Sequence, residues 1–294
     1  MKKPLIAVVG ETASGKSALA LRIARRFDGE LICADSWTVY KGFDVGTAKP
    51  SRDEQRLVRH HLLDVADPAT GFSAVEFKRL ALAAIEDITA RGKLPVMVGG
   101  TGLYIDAVLY DYQFLPAPDP ARREELNGLS LLELQHIATN KGLDLSTIDK
   151  HNKRRVIRLI ENDGSVPGRG PLRPDTLIVG ISVDREALRQ RVTARVDSML
   201  AAGLEQEVSR LAGLYGWEVE PMKGIGYREW RPYFEPQPEL HQDLAQTRDR
   251  IIAATMGLAK RQRTWFKRNE RIQWLSGPGT EDDYDDIITT FVRG

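Results

Sequence analysis

The sequence contains one cysteine, Cys33, among its 294 residues. One thiol cannot form a disulfide within the chain or supply a cysteine-based zinc site, and it suits a reducing compartment. No apolar run approaches the 18 residues that suggest a membrane span, and the short run at residues 5–9 ends at Gly10, so a signal peptide is not expected. We therefore predict a cytoplasmic globular protein.

The chain also lacks a strong net charge. It contains 42 Lys and Arg residues and 41 Asp and Glu residues, which gives a formal net charge of +1. Any affinity for nucleic acid must therefore come from local basic patches and not from the chain as a whole. Internal repeats and low-complexity tracts are absent from the sequence, and 42% of its residues are hydrophobic. This composition is typical of a globular protein with one large domain or two smaller ones.

Residues 10–17 match the phosphate-loop pattern G-x-x-x-x-G-K-[ST] at every fixed position. A short apolar run before them predicts a buried strand, and apolar residues at every fourth position predict a helix over residues 18–27. Such a loop binds phosphates through its backbone amides, a helix N-terminus and its lysine, while its last hydroxyl binds Mg²⁺. The alternative is a chance match in a turn rich in Gly and Ser, which the flanking strand and helix disfavour. The predicted diphosphate- or nucleotide-binding residues here are Gly10, Thr12, Ala13, Ser14, Gly15, Lys16 and Ser17, with Ser17 also as the metal ligand.

Two further apolar segments, residues 30–33 and 94–98, predict strands that run directly into loops. Together with the phosphate loop they predict an α/β fold with a P-loop NTPase-like parallel sheet, whose ligand crevice lies at the carboxyl ends of the strands. Asp35 and Thr101 follow these two strands and are expected at the crevice. Asp35 is either a catalytic acid or base or an ordinary helix N-cap, and its spacing alone does not decide between them.

The remaining pattern divides the chain into two domains. Helical periodicity covers residues 73–90, 129–138, 150–162, 185–211 and about 242–268, and residues 176–183 predict another strand. Ser73, with Glu76 at the capping-box position, and Asp184 are the expected N-caps. Three prolines at positions 116, 118 and 120 mark a boundary, and residues 122–160 lack glycine-terminated strands. We predict a catalytic core of residues 1–115 and 175–294 and a small helical insertion domain of residues 116–174.

Several polar groups have both a structural and a functional interpretation. Adjacent residues such as His60 and His61 point in different directions, so a structural or substrate-positioning role is favoured over a metal pair. Arg191 and Arg195, one helical turn apart, either clamp a diphosphate or lie on a solvated face. The arginines of residues 150–162 are likewise either solvated or in contact with a phosphate backbone.

The segment of residues 260–268 is the clearest basic patch. It combines five basic residues with Trp265 and Phe266. Positive charge beside aromatic rings suits a nucleic-acid surface, because the charges meet phosphates and the rings can stack on bases.

Seven stretches in sequence order resemble a single family. They are the phosphate loop, Asp35-Ser36 with Val39-Tyr40, and residues 46–50, 60–64, 98–104, 225–228 and 260–266. Over nearly the whole chain they are similar to the tRNA dimethylallyltransferases, also called tRNA isopentenyltransferases. The resemblance implies transfer of a dimethylallyl group from dimethylallyl diphosphate to the exocyclic amine of the adenosine 3′ of the tRNA anticodon. It also implies Mg²⁺ as cofactor, a monomer, and a phosphate loop that holds the prenyl donor although its pattern reads as ATP-binding.

The resemblance further assigns roles to individual residues. Asp35 stands at the position of the proton acceptor for the adenine amine. Lys16, Thr101 and Arg191 or Arg195 would stabilise the departing diphosphate, and the target base would be flipped out of its loop. The implied tRNA-binding residues are Asp35, Ser36, Trp37, Thr38, Thr101, Arg123, Arg154, Arg155, Val156, Ile157, Arg158, Lys223, Gly224, Ile225, Gly226, Tyr227, Arg228, Lys260, Arg261, Gln262, Arg263, Thr264, Trp265, Phe266 and Lys267.

Two positions depart from the family pattern. Glu11 stands where the family usually has Pro, and we expect its acidic side chain to tilt outward from a bound diphosphate. Thr38 stands where the family usually has Gln, which can bind an adenine edge through two hydrogen bonds as Thr cannot. The alternatives to a prenyltransferase are a small-molecule kinase that uses ATP at the same loop and a non-catalytic RNA-binding protein that retains the loop structurally.

Overall fold

The protein is described here from a computed structural model. The described residues are 4–116, 119–235, 243–277 and 281–293. Ala117 and Pro118, at the predicted domain boundary, and Gln242, at the predicted start of the last helix, lie outside them.

The chain divides into two compact units. The larger is Met1–Leu109 together with Leu172–Gly294, and the smaller is Tyr110–Pro171. The smaller unit overlaps the predicted helical insertion of residues 116–174, but it begins at Tyr110 and ends at Pro171.

Among the described residues, a sheet of six parallel strands forms the centre of the larger unit. The strands are β1 (Leu5–Gly10), β2 (Gly29–Ala34), β3 (His60–His61), β4 (Leu94–Gly99), β5 (Thr176–Ser182) and β6 (Ile272–Ser276). Their order is β3-β2-β4-β1-β5-β6. Every residue of β1, β2 and β4 is buried, as near-continuous apolar runs require in a parallel sheet covered on both faces. The predicted α/β fold with a parallel sheet is confirmed.

Helices follow most of the strands. They are α1 (Lys16–Arg26), α2 (Arg52–Leu57), α3 (Ala74–Ala90), α4 (Gly102–Leu109), α5 (Pro120–Gly128), α6 (Leu131–Asn140), α7 (Lys153–Glu161), α8 (Arg185–Ala201), α9 (Leu204–Tyr215), α10 (Arg231–Phe234), α11 (Leu244–Phe266) and α12 (Glu281–Arg293). The predicted N-caps are confirmed, since Ser73 accepts a hydrogen bond from the Glu76 amide and Asp184 from the amides of Glu186 and Ala187. In the described parts of the chain, none of the helices combines the length and apolar character that crossing a membrane requires.

The prediction of one long helix over residues 185–211 is wrong. The segment forms two helices, α8 and α9, which are separated at Ala202 and Gly203. Gly203 has φ 93°, a left-handed conformation that glycine adopts without a steric penalty and that cannot continue a right-handed helix. The apolar pattern runs on through the break, so periodicity alone does not reveal it.

The smaller unit has its own hydrophobic core, built from α5, α6 and α7. Its buried residues are Leu126, Leu134, Ala138, Val156, Ile157 and Ile160. Val156 and Ile157, both predicted to bind tRNA, therefore pack inside this unit.

The register of the central strands determines where the loops of the site begin. Gly99 at the end of β4 is aligned with Val9 of β1 on one side and with Ala34 of β2 on the other. The chain therefore leaves three neighbouring strands at one level. The loops that start at Glu11, Asp35 and Gly100 emerge side by side, as the rule for parallel sheets predicts.

Candidate active site

The phosphate loop connects β1 to α1. Gly15, the N-cap of α1, has φ 100°, and Ala13 also lies in the left-handed region at φ 60°. These conformations curl the backbone tightly, and the Ser14 amide donates to the Glu11 carbonyl at 3.2 Å. The first turn of α1 contains no acidic residue, so its positive dipole end remains available to an anion.

Lys16 is the cation of this loop, and its Nζ donates to the Glu11 carbonyl at 3.1 Å. Burial, together with the nearby Arg195, lowers the pKa of Lys16 to about 8, although Asp35 and Glu11 act in the opposite direction. Keeping this ammonium charged therefore costs free energy in the ligand-free protein. A bound diphosphate would supply the missing negative charge.

Arg191 and Arg195 of α8 both reach the phosphate loop. Arg191 Nη1 donates to the Ser14 carbonyl at 3.2 Å, and Arg195 Nη1 donates to Thr12 Oγ1 at 3.3 Å. Burial lowers the pKa of Arg195, and the charge of Asp35 opposes that shift. Of the two interpretations of this pair, the position beside the loop supports the clamp over the solvated face.

Asp35 begins a turn, and no helix follows it within the adjacent described residues, so the N-cap interpretation does not hold. Its Oδ1 accepts hydrogen bonds from the amides of Trp37 at 2.8 Å and Thr38 at 3.4 Å. Thr101 Oγ1 accepts a hydrogen bond from the Ser36 amide at 3.1 Å, which joins the loop after β4 to the loop after β2. These contacts fix the direction of the Asp35 carboxylate.

One cavity of about 190 Å³ brings the charged residues together with apolar walls. Lys16, Arg195 and Asp35 line it. Its other lining residues include Ser17, Trp37 and Thr38, and the apolar side chains of Leu31, Cys33, Val98, Val196, Met199 and Ile225. The cavity thus has cations for a diphosphate, a carboxylate for a proton and an apolar wall for a short hydrocarbon.

Glu207 on α9 supports a loop of the cavity and was not predicted from the sequence. Its buried carboxylate accepts hydrogen bonds from the amides of Asp44, Val45 and Gly46 and from the Tyr227 hydroxyl, at 2.7–3.0 Å. It therefore holds the loop of residues 44–46, part of which lines the cavity, against the segment that contains Tyr227. No local pattern distinguishes this glutamate from the exposed ones, because its partners are far away in the sequence.

We expect Glu207→Gln to lower the free energy of unfolding by about 2–4 kcal/mol. The carboxamide keeps one acceptor oxygen but turns an NH₂ group toward backbone N–H donors, which are then left unsatisfied. Chemical denaturation of the variant measures this loss. Glu205→Gln is the matched control, because Glu205 lies on the same helix and accepts from the Tyr233 hydroxyl. An equal loss in both variants would contradict a special role for Glu207.

Among the predicted tRNA-binding residues, the structure separates exposed from buried side chains. The exposed ones include Arg154, Arg155, Lys223, Arg228, Lys260, Arg261, Thr264 and Lys267. The buried ones include Gly224, Gly226, Tyr227, Gln262 and Phe266. Arg123 forms an ion pair with Glu161, a side chain of the smaller unit that is only 3% exposed.

The inner side of the C-terminal end of α11 contacts the loops of the site. Gln262 accepts from the Thr12 amide at 2.8 Å and donates to the Gly100 carbonyl at 3.0 Å, so one carboxamide joins two loops. Trp265 Nε1 donates to Asp106 on α4 at 3.1 Å. The outer side carries the exposed cations Lys260, Arg261 and Lys267.

Glu11, whose acidic side chain was expected to tilt outward from a bound diphosphate, is buried in the protein. It is 4% exposed, and its carboxylate forms two hydrogen bonds with Arg263 of α11, from Nε at 2.6 Å and from Nη2 at 3.0 Å. Glu11 is not among the residues that line the cavity, and the sequence separation of 252 residues hides its partner Arg263 from sequence-based prediction.

The two histidines of β3 have partners within the protein. His60 Nδ1 lies 2.8 Å from the Val58 carbonyl, and His61 Nε2 lies 2.7 Å from Glu30. In the part of the chain that the structure describes, no three His, Cys, Asp or Glu side chains are grouped as a metal site requires. Both histidines therefore have structural contacts, and His60 also lines the cavity, where a substrate-positioning role is open to it.

The sequence matches the IPP transferase family over residues 38–269, which is more than half of the chain. It is 41% identical over 285 residues to a tRNA dimethylallyltransferase of Exiguobacterium sp., covering 93% of this chain and 90% of the relative. It is 40% identical over 304 residues to one of Roseiflexus sp., covering 99% of this chain and 98% of the relative.

The fold matches a solved structure of the same kind of protein. The crystal structure of the tRNA isopentenylpyrophosphate transferase of Bacillus halodurans superimposes with a TM-score of 0.75 and 32% sequence identity, covering 100% of this chain and 96% of that one. These comparisons support the prenyltransferase prediction over the kinase alternative. The chain belongs to the IPP transferase family, the family of the tRNA dimethylallyltransferases.

Proposed function

We propose that the protein transfers a dimethylallyl group from dimethylallyl diphosphate to the exocyclic amine of the adenosine 3′ of the tRNA anticodon. The observation that carries this proposal is the single cavity in which Lys16 and Arg195 face the same space as Asp35 and an apolar wall. The curated relatives are named for dimethylallyl transfer to tRNA, which fits these groups.

The cations of the loop would stabilise the leaving group. As the bond between the allylic carbon and the diphosphate oxygen breaks, negative charge grows on the diphosphate, and charged donors placed there lower the barrier. Lys16, Arg191 and Arg195 are attached to the phosphate loop and would not need to move into place. An ATP-dependent kinase reaction would need the same cations and could use the carboxylate of Asp35 as its base, but it would leave the apolar wall unexplained.

Asp35 would act on the nucleophile. The adenine amine has its lone pair delocalised into the ring, so forming the new C–N bond requires loss of an amine proton. The Asp35 carboxylate is held by the amides of Trp37 and Thr38 and would accept that proton as a general base. The target base would have to leave its stack in the anticodon loop to reach the cavity.

Thr38 supports contact with the substrate on the same side of the cavity. Its side chain is 6% exposed, and within the described chain its Oγ1 has no hydrogen-bond partner. This oxygen is shielded from solvent, so a bound base would contact the part of Thr38 that lines the cavity, and a hydrogen bond to the hydroxyl would require the turn after Asp35 to shift. One hydroxyl cannot reproduce the two hydrogen bonds of the Gln that the family usually has here.

We propose Mg²⁺ as the cofactor, shared between the diphosphate and the protein. Ser17 is exposed in the first turn of α1 beside Lys16, and its hydroxyl is the type of hard oxygen ligand that Mg²⁺ takes together with phosphate oxygens. When bound, the ion would neutralise part of the charge on the departing diphosphate.

The tRNA would contact exposed basic residues, namely Lys260, Arg261 and Lys267 on α11 and Arg154 and Arg155 on α7. One chain supplies both the cations and the carboxylate of the cavity, so we propose that a monomer is active. The reaction would take place in the cytoplasm.

The test offers the purified protein labelled dimethylallyl diphosphate, Mg²⁺ and bulk tRNA, followed by mass spectrometry of the tRNA nucleosides. We expect a prenylated adenosine in the presence of the protein, and none in tRNA that carries guanosine 3′ of the anticodon. In parallel, γ-labelled ATP is offered with a metabolite extract. Prenyl label that stays out of RNA while a metabolite gains phosphate would favour the kinase and contradict the proposal.

A further inference from the structure

Glu11 introduces an acidic charge into a loop that binds an anion. Removing water from this carboxylate is costly, and a negative charge beside a diphosphate is repulsive. The carboxylate nevertheless lies inside the protein, where only 5% of the side chain is exposed. Its position needs an explanation that the proposed reaction does not itself provide.

Arg263 supplies the compensating charge with bidentate geometry. Its Nε and Nη2 donate to the two oxygens of Glu11, at 2.6 and 3.0 Å, and Nη2 also donates to the Val183 carbonyl at 2.8 Å. Paired hydrogen bonds of a guanidinium with a carboxylate are the geometry that best holds such a charge in place. The preceding residue on the helix, Gln262, accepts a hydrogen bond from the Thr12 amide, so two successive side chains of α11 hold two successive residues of the loop.

The charge of Glu11 is felt inside the diphosphate site. It favours the charged form of Lys16, as does Asp35, against the effects of burial and Arg195. Without Arg263, the negative charge of Glu11 would repel a bound diphosphate and would have no paired guanidinium to neutralise it. Arg263 would then influence the diphosphate although its own hydrogen bonds go to Glu11 and Val183.

We infer that Arg263 is a positioning residue for the diphosphate site, which neutralises Glu11 and holds it away from the anion, and that it is not a tRNA contact. This inference rests on the proposed function, because it assumes that the phosphate loop binds the diphosphate of a prenyl donor. The role of Arg263 therefore differs from that of the exposed cations Lys260, Arg261 and Lys267, which lie on the outer side of the same helix and would contact tRNA.

The test measures the affinity for inorganic pyrophosphate with Mg²⁺ by calorimetry in four variants. Arg263→Gln should weaken binding by about tenfold or more, because it leaves the Glu11 carboxylate unpaired beside the anion. Glu11→Gln should not weaken binding, because it removes the repulsive charge and leaves the positive charge of Arg263 in place. The double variant should return close to the wild-type affinity. Arg25→Gln, an exposed arginine on α1, is the matched control and should have no effect.

If the ion pair only stabilised the loop, a different pattern would follow. Glu11→Gln would then weaken pyrophosphate binding as much as Arg263→Gln, and the double variant would not regain the wild-type affinity. That pattern would overturn the inference. If Arg263→Gln does not fold, Arg263→Lys is used instead, because it keeps the positive charge without the bidentate geometry of the guanidinium. Its pyrophosphate affinity should stay within about threefold of wild type. The double variant still tests whether affinity recovers. A larger loss with Arg263→Lys would also count against charge compensation.

A second measurement tests whether Arg263 contacts tRNA or acts only at the diphosphate site. The affinity for tRNA should be unchanged in Arg263→Gln and lower in Lys267→Gln, and an equal loss in both variants would make Arg263 an RNA contact and overturn the inference. The inference alone would be refuted if the wild-type protein transfers a prenyl group and binds pyrophosphate, and Arg263→Gln binds pyrophosphate with the same affinity. Wild-type protein that does neither would refute the proposed function and the inference with it.

Discussion

Asp35→Asn is expected to reduce kcat for prenyl transfer by about 10³-fold, within the range that a general base contributes. The asparagine oxygen can still accept the hydrogen bonds from the amides of Trp37 and Thr38, so the turn should keep its shape. What is lost is the ability to take a proton from the adenine amine. Single-turnover kinetics with saturating tRNA and prenyl donor measure the effect on the chemical step.

Binding should be preserved in this variant, with affinities for tRNA and pyrophosphate within about threefold of wild type. Asp67→Asn is the matched control, because Asp67 is exposed and also accepts a hydrogen bond from the amide two residues on, that of Ala69. A variant at position 35 that keeps more than about a tenth of the wild-type kcat would contradict the general-base assignment. Prenyl transfer absent from both wild type and variant, with tRNA binding intact, would support the non-catalytic RNA-binding alternative.

Lys16→Met is expected to lower kcat/KM for the prenyl donor by about 10²–10³-fold. Methionine occupies a similar volume but provides no charge for the diphosphate in either the bound or the departing state. Steady-state kinetics with varied donor concentration measure the loss. The exposed Lys41 is the control position, where the same substitution should leave kcat/KM unchanged.

The pH dependence of pyrophosphate binding gives a further signature of Lys16. Because burial lowers its pKa to about 8, the ammonium loses its proton as the pH rises through that value, and affinity should fall above it. The phosphates of the ligand titrate as well, so the comparison is with Lys16→Met, in which this alkaline fall should be absent. An identical pH profile in both proteins would mean that Lys16 does not bind the diphosphate.

The sequence predicted the part of the site that local pattern encodes. A phosphate loop is a contiguous motif, and the rule that parallel strands present their loops at one edge places Asp35 and Thr101 beside it without any knowledge of tertiary contacts. The arginines of α8 were predicted as one of two alternatives, because helical spacing aligns them but does not show what they face. The hydrogen bonds of Arg191 and Arg195 to the loop are contacts between distant parts of the chain.

The groups that hold the site together could not be predicted in the same way. Glu207 and Gln262 are ordinary polar residues on helices, and only the fold reveals that one binds three consecutive backbone amides and the other joins two loops. Residues 260–267 were assigned to tRNA as a block because their charge and aromatic content suit RNA. A helix has two sides, however, and the block divides between them.

The hydrogen bond from the Thr12 amide to Gln262 spans 250 residues of sequence. During synthesis at about 5–20 residues per second, the phosphate loop would leave the ribosome roughly 10–50 seconds before α11 is complete. For that interval Glu11 would have no guanidinium to pair with. The growing chain would therefore carry a phosphate-binding motif without a finished binding site, and premature capture of cellular phosphates would be suppressed until α11 has been synthesised and has folded onto the loop.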